Sequence, residues 1–309
     1  MSTPTPPQAP AAAPTEQQPA PQWQGGGAPV YTSPIPVRTT HLGHALASEW
    51  TKIRTVRSTM WTLGVMFVLV IGIGLMTASG LSSSEYTQVP LLSGGLFGLM
   101  LGQICIVTLG VLVITSEYGT GMIRTTMTAC PARGRVLAAK AIVYFLLSFT
   151  MTLIATTLTA LIQSSMLGGR PIGEYSTLPT ESLVDGVVIA TSGEWLGATV
   201  GASLYVALLG LLALAVGAML RHSAGAITTM LGVILLPLLL ALFMQMESLR
   251  ELQEFLVEYS PLNGLATLFG LPFMGEAGTG NGWGLLAGLA ALTVVALGGA
   301  FALTYQRDV

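Results

Sequence analysis

Six stretches of this chain carry no Asp, Glu, Lys or Arg: Ser58–Ser84, Tyr86–Ser116, Ala141–Gly169, Trp195–Leu220, Ser223–Met246 and Ala277–Gln306. Each holds the ~20 apolar residues that cross a hydrocarbon core of ~30 Å as a helix. A helix in lipid satisfies its own backbone N–H and C=O groups, so uncharged runs of this length have few other folds open to them. In the first run Leu63, Val65, Phe67, Val68, Leu69, Val70, Ile71, Ile73 and Leu75 contribute roughly −3 to −5 kcal/mol of insertion free energy, and one central charge would cancel about 3 kcal/mol of it. None is present. Only 8% of the 309 residues are charged, against about 25% in a domain that must wet its whole surface. The spacing predicts an all-α integral membrane protein with spans near 60–79, 94–115, 141–164, 197–219, 225–245 and 284–304.

Orientation follows from the basic residues. With six spans and both termini in the cytoplasm, ten of the 12 Lys and Arg face inward: Arg38, Lys52, Arg54, Arg57, Arg124, Arg133, Arg135, Lys140, Arg221 and Arg307. Only Arg170 and Arg250 fall outside, as the positive-inside rule requires. Residues 1–40 hold ten of the 17 prolines and the run Gly25-Gly26-Gly27. Such a segment has too little apolar surface to offset its conformational entropy, so a disordered cytosolic tail is expected, followed by one permease-sized domain over 41–309. Cys105 lies in an apolar run and Cys130 in a basic loop; they are not expected to pair.

Small residues recur every four positions at Gly94/Gly98/Gly102, Gly197/Gly201, Ala213/Gly217 and Gly284/Gly288, a spacing that lets helix backbones approach one another within the chain. Before the first span, Leu42, Ala45, Leu46, Trp50, Ile53 and Val56 share one helical face. With Trp50, Lys52, Arg54 and Arg57 at headgroup depth, this reads as an interfacial helix on an anionic inner surface. Between the second and third spans, Gly119 and Gly121 break the helix, and Thr120 is placed to cap a short helix ending before Pro131. Glu117 is expected to pair with Arg124. Beyond the fifth span, Glu247, Glu251, Glu254 and Glu258 line one helical face and Leu249, Leu252, Leu256 and Tyr259 another. The acidic stripe reads as a solvated face. Pro261–Gly275 is apolar but too short to cross, which predicts a re-entrant segment.

The string Glu117-Tyr118-x-Thr120-Gly121-x-Ile123-Arg124-Thr125-Thr126 resembles the cytosolic loop of ABC type-2 exporter permeases, especially the short actinobacterial kind. The stretch Ser48-Glu49-Trp50-x-Lys52-x-Arg54-x-x-Arg57-Ser58 is similar to the segment before their first span. The likeness covers about residues 42–309. It implies a membrane half that dimerises with a second copy or a homologue and binds separate ATPase subunits. It also implies a coupling role for Glu117, Tyr118, Gly119, Thr120, Gly121, Ile123 and Arg124. Met122 departs from the pattern, since many relatives have Thr there.

Other functions fit less well. No G-x-x-x-x-G-K-[ST] string exists to cradle nucleotide phosphates, so ATP is expected on a partner chain and no cofactor on this one. His41, His44 and His222 sit at span boundaries without H-E-x-x-H or metal-ligand spacing, and no serine sits in a G-x-S-G setting. A hydrolase is disfavoured. An ion-coupled transporter usually carries ionisable groups at mid-membrane depth, and the predicted spans have none. An uncharged pathway suits an apolar or amphipathic compound: drug, peptide or lipid. The expected partners are the bilayer, the ATPase and a second permease, with no nucleic acid. A non-transporting membrane scaffold is the competing reading.

Overall fold

The computed structural model describes residues 41–86, 88–129, 132–171, 182–184, 186–244, 246–273 and 282–306. The expectations for the tail of residues 1–40, Cys130, Pro131 and the Arg124 side chain lie outside the described residues. In chain order the elements are α1 (Leu42–Thr55), α2 (Arg57–Ser82), α3 (Gly95–Gly119), α4 (Met122–Ala129) and α5 (Arg133–Leu167). Two short strands follow, β1 (Leu183–Val184) and β2 (Val187–Val188). Then α6 (Ser192–Leu196) runs through a π-bulged segment, Gly197–Gly201, into α7 (Ala202–Leu220). The chain continues through α8 (Ser223–Phe243), a 3-10 turn at Glu247–Leu249, α9 (Arg250–Glu258), α10 (Pro261–Leu268) and α11 (Gly282–Gln306).

Six helical segments are long and apolar enough to cross a membrane: α2, α3, α5, α6 with α7, α8 and α11. They fall on the six predicted spans. The main difference is at α5, which starts at Arg133 and runs 35 residues, about 52 Å at the helical rise. Lys140 therefore lies inside that helix and not before it. Apart from Gly134 in the first turn, where a Cβ would meet the Tyr305 ring, Arg133–Lys140 consists of residues a helix accepts and holds no proline, so the last charge marks where water begins and not where the helix does. Among the described residues, the departures from an all-α fold are the β1–β2 hairpin, paired antiparallel through Leu183 with Val188 and Val184 with Val187, and a single bridge between Pro171 and Val187.

The core is centred where α3 crosses α7. A Cβ on Gly110 would collide with the Gly210 carbonyl oxygen, so only glycine permits that approach. The Tyr144 hydroxyl on α5 donates to the Ile106 carbonyl at 2.7 Å beside the same crossing. The Gly94/Gly98/Gly102 row packs on α2 within the chain, as expected: a Cβ at Gly98 would lie 2.7 Å from the Val70 carbonyl oxygen. Gly288 differs, with nothing within 4 Å.

The ends of the helices form two groups. One end gathers α1, α4, the starts of α2 and α5 and the ends of α3, α7 and α11. This follows from Lys140 meeting Glu117, Arg221 lying over Tyr118, and Arg133 donating to the Thr304 carbonyl. At the opposite end Arg170 donates to the carbonyls of Ser82 and Ser84, closing the end of α2. There α9 faces inward with Gln253, Leu256 and Val257, followed by the buried Ser260. Its predicted apolar face is only partly turned in, because Leu252 and Tyr259 are exposed. Register explains this: Val257 and Ser260 continue straight into α10, whose N-cap Ser260 accepts from the Asn263 N–H at 3.1 Å. That junction pins the inward side. α10 itself is buried through Leu262, Leu265, Ala266 and Leu268.

Candidate functional site

At the mouth where both termini of the described chain meet, α1 lies across the bundle and packs on α5 and α2. Its N-terminus is held by the His41 N–H donating to His44 Nδ1 at 3.3 Å. His222 does similar work for α8, its Nδ1 accepting from the Gly225 N–H at 3.0 Å. These two boundary histidines are helix caps. α1 ends at Val56, whose backbone is extended (φ −79, ψ 111) before α2 begins. Lys52 and Arg54 in its last turn suit the negative end of the helix dipole.

The inward stripe of α1 differs from the predicted one. Ile53 is buried and Ala45 and Leu46 half-buried, but Leu42, Trp50 and Val56 are exposed. At the centre of the stripe stands Glu49, only 3% exposed. Trp50 points away, with the Arg54 guanidinium 5.9 Å from its ring centroid.

Opposite α1, α3 ends in the predicted loop. Gly121 adopts φ +72, the left-handed conformation that turns the chain from α3 into α4. Thr120 does not cap α4: its hydroxyl donates back to the Ser116 carbonyl at 2.8 Å, at the end of α3. Ile123 is buried, while Gly119 and Thr120 are exposed. Tyr118 is half-buried beneath Arg221, whose guanidinium sits 5.1 Å from the ring centroid. Arg221 itself holds φ 55 as the left-handed cap of α7.

Glu117, in the last turn of α3, is 5% exposed. Two lysines hold its Oε1: Lys140 Nζ at 2.8 Å and Lys52 Nζ at 2.7 Å. The same ammoniums hold Glu49, Lys140 at Oε2 (2.7 Å) and Lys52 at Oε1 (2.9 Å). Four charges from three helices thus form one neutral network. Lys140 is 1% exposed, and a lysine that deep persists only when paired. Burial by itself depresses the Lys52 pKa, but the carboxylates of Glu117 and Glu49 outweigh it and hold the ammonium above the ordinary lysine range. Glu117 pairs with the two lysines, and the Arg124 side chain of the expected Glu117–Arg124 pair lies outside the described residues. Among the described residues, the buried Glu117 Oε2 has no hydrogen-bond partner.

Two cavities flank the network. One of about 320 Å³ opens between α1, α2 and α3, walled by Ile53, Leu109 and Val113. The other, about 390 Å³, lies between α1, α4 and α5 beside His44, Ser48 and Thr125. Glu49, Lys52 and Met122 line both.

The sequence model of a family described as ABC-2 family transporter protein matches residues 45–216, more than half of the chain. The chain belongs to the ABC-2 transporter family. A comparison with curated proteins returned no match. The ABC-2 segment runs from α1 into α7 and encloses all four charges of the network. Membership and six span-length helices make this a multi-pass membrane protein and a transport subunit.

Sequence reasoning found Glu117 and Lys52 but missed their partners. A usable signal existed for Glu49. It falls between Ala45 and Ile53 at helical spacing, an acid on an apolar stripe that needs a cation. For Lys140 no local signal existed, because its partners lie 23 and 91 residues away.

Proposed function

We propose that this ABC-2 chain is the membrane-spanning permease of an ATP-driven exporter, acting with a separate ATPase subunit and a second permease, either another copy or a homologue. The observation that carries the reading is the assembly at the mouth: a short helix, α4, set off from α3 by a left-handed glycine, beside a buried charge network that ties the end of α3 and the start of α5 to α1. A segment built to bear load at a helix-bundle mouth suits contact with a motor protein. The residues assigned to that contact are Glu117, Tyr118, Gly119, Thr120, Gly121, Ile123 and Arg124, with α1 beside them. Glu117 acts from within, by bracing, and the exposed turn supplies the surface.

Both termini lie in the cytoplasm. Lys52, Arg54, Arg57, Arg133, Arg135, Lys140 and Arg221 share the mouth end, and Arg170 and Arg250 the opposite one, which supports that orientation. α1 lies at the inner membrane surface through exposed Leu42 and Trp50, and α10 re-enters from the outer side. The cargo is an apolar or amphipathic compound. Among the described residues, the charged groups of the spans all lie within about two turns of a helix end, so ion coupling at mid-depth has no obvious carrier. Purification of the tagged chain from its native membrane tests the proposal: an ATPase subunit should co-purify, and Arg124→Ala should weaken its retention without lowering the amount of permease inserted. Recovery of the permease with no ATPase subunit would reject it.

A further inference from the structure

The four charges at the mouth divide in a particular way. Glu49 and Lys52 sit on one helix, 2.9 Å apart. Glu117 and Lys140 pair at 2.8 Å across α3 and α5. Each pair is neutral by itself. Two cross-bonds join the pairs: Lys140 to Glu49 at 2.7 Å, and Lys52 to Glu117 at 2.7 Å. Lifting α1 from the bundle breaks both cross-bonds but strands no charge. Had both acids been on α1 and both lysines on the bundle, separation would leave two like charges in each half, which low dielectric makes prohibitive.

The unpartnered oxygen fits the same picture. On separation Lys140 loses the Glu49 carboxylate, and Glu117 Oε2, buried and without a hydrogen-bond partner among the described residues, is at hand to replace it. Packing beneath α1 is light. Of its 14 residues only Glu49 and Ile53 are buried, and cavities of about 320 and 390 Å³ lie to either side. The α3–α7 crossing, with backbone against backbone, is the opposite case. Val56, extended between α1 and α2, is a ready hinge.

The geometry points to α1 as a detachable strut. Glu49 and Lys140 are positioning residues of a releasable ionic joint, and α1 leaves and rejoins the α3–α5 mouth as a charge-balanced unit. Release opens the two flanking cavities toward each other, because Glu49 and Lys52, two of the three residues that line both, move away with α1. This concerns the chain by itself, so it stands or falls separately from the ATPase assignment.

The test reads the thiol reactivity of Ile53→Cys in membranes, with Cys105 and Cys130 replaced by alanine and N-ethylmaleimide as the probe. Leu63→Cys, on the buried side of α2 at 3% exposure, reports on the bundle. In the parent background Ile53→Cys reacts slowly. Glu49→Lys removes both bonds that Glu49 accepts and should raise its rate about tenfold, the scale of one pairwise coupling energy. Adding Lys140→Glu restores an opposite-charge pair across the joint and also leaves both ammoniums on α1 and both carboxylates on the bundle, so the rate should fall back to the parent's or below it. Leu63→Cys should stay unreactive throughout. Should Glu49→Lys fail to insert, Glu49→Gln carries the test, with an expected rise of about threefold. An unchanged Ile53→Cys rate, no recovery in the swap, or a parallel rise at Leu63→Cys would overturn the joint.

Discussion

Lys140→Met removes the deepest charge of the network. The side chain is 1% exposed and makes two ammonium bonds, 2.7 Å to Glu49 and 2.8 Å to Glu117. Breaking a buried pair costs about 3–5 kcal/mol, because the partner charge is left behind. Lys52 still holds both carboxylates, which places this variant at the low end, about 3 kcal/mol. Adding Glu117→Gln removes the stranded charge and leaves Glu49 with Lys52, a balanced pair. The residual cost is about 1 kcal/mol, that of one ordinary hydrogen bond. The double variant should therefore be more stable than Lys140→Met alone by about 2 kcal/mol, a coupling opposite in sign to independent losses. Unfolding in mixed micelles by titration with a denaturing detergent, followed by tryptophan fluorescence, measures both. The reasoning is refuted if the double variant is as unstable as the single one, or less stable.

Three further outcomes follow from the same geometry. Cysteine at Glu254 should react with an impermeant thiol reagent applied outside intact cells and cysteine at Arg133 should not; labelling at Arg133 would invert the proposed topology. Gly121→Val forces a branched side chain into a left-handed turn with open space around it, at about 1–2 kcal/mol, and should impair export, whereas Gly119→Ala should not; normal export by Gly121→Val would show that the turn is dispensable. Replacing Glu247, Glu251, Glu254 and Glu258 together by Gln should leave transport within about threefold, as for a solvated face; selective loss of cationic cargo would give the stripe a recruiting role.

The spans were legible because insertion into lipid is decided locally, by runs of apolar residues such as Leu63–Leu75, and six runs gave six helices. The row Gly94/Gly98/Gly102 was legible for a related reason: its spacing already states which face a neighbouring backbone approaches. Helix ends were less so. The third span was placed from residue 141, after the charges at Arg133, Arg135 and Lys140, although a helix continues through charge wherever water is near and no proline intervenes. The inward face of α1 was half right, since hydrophobicity selects Ile53 but gives no weight to Glu49. The network itself was not readable. Burying Lys140 is favourable only if Glu49 and Glu117 arrive from two other helices, and that condition is met by tertiary packing alone.

The central claim is that α4 and its turn are where this ABC-2 subunit meets an ATPase. Photocrosslinking from Met122 tests it most directly, because that side chain is 48% exposed on α4. Phe243, 80% exposed at the far end of α8, serves as the reference position. With a photoreactive residue at each site in native membranes, the account predicts an adduct between Met122 and a nucleotide-binding ATPase subunit, and none from Phe243. No ATPase adduct at Met122, or equal capture from both positions, would contradict it.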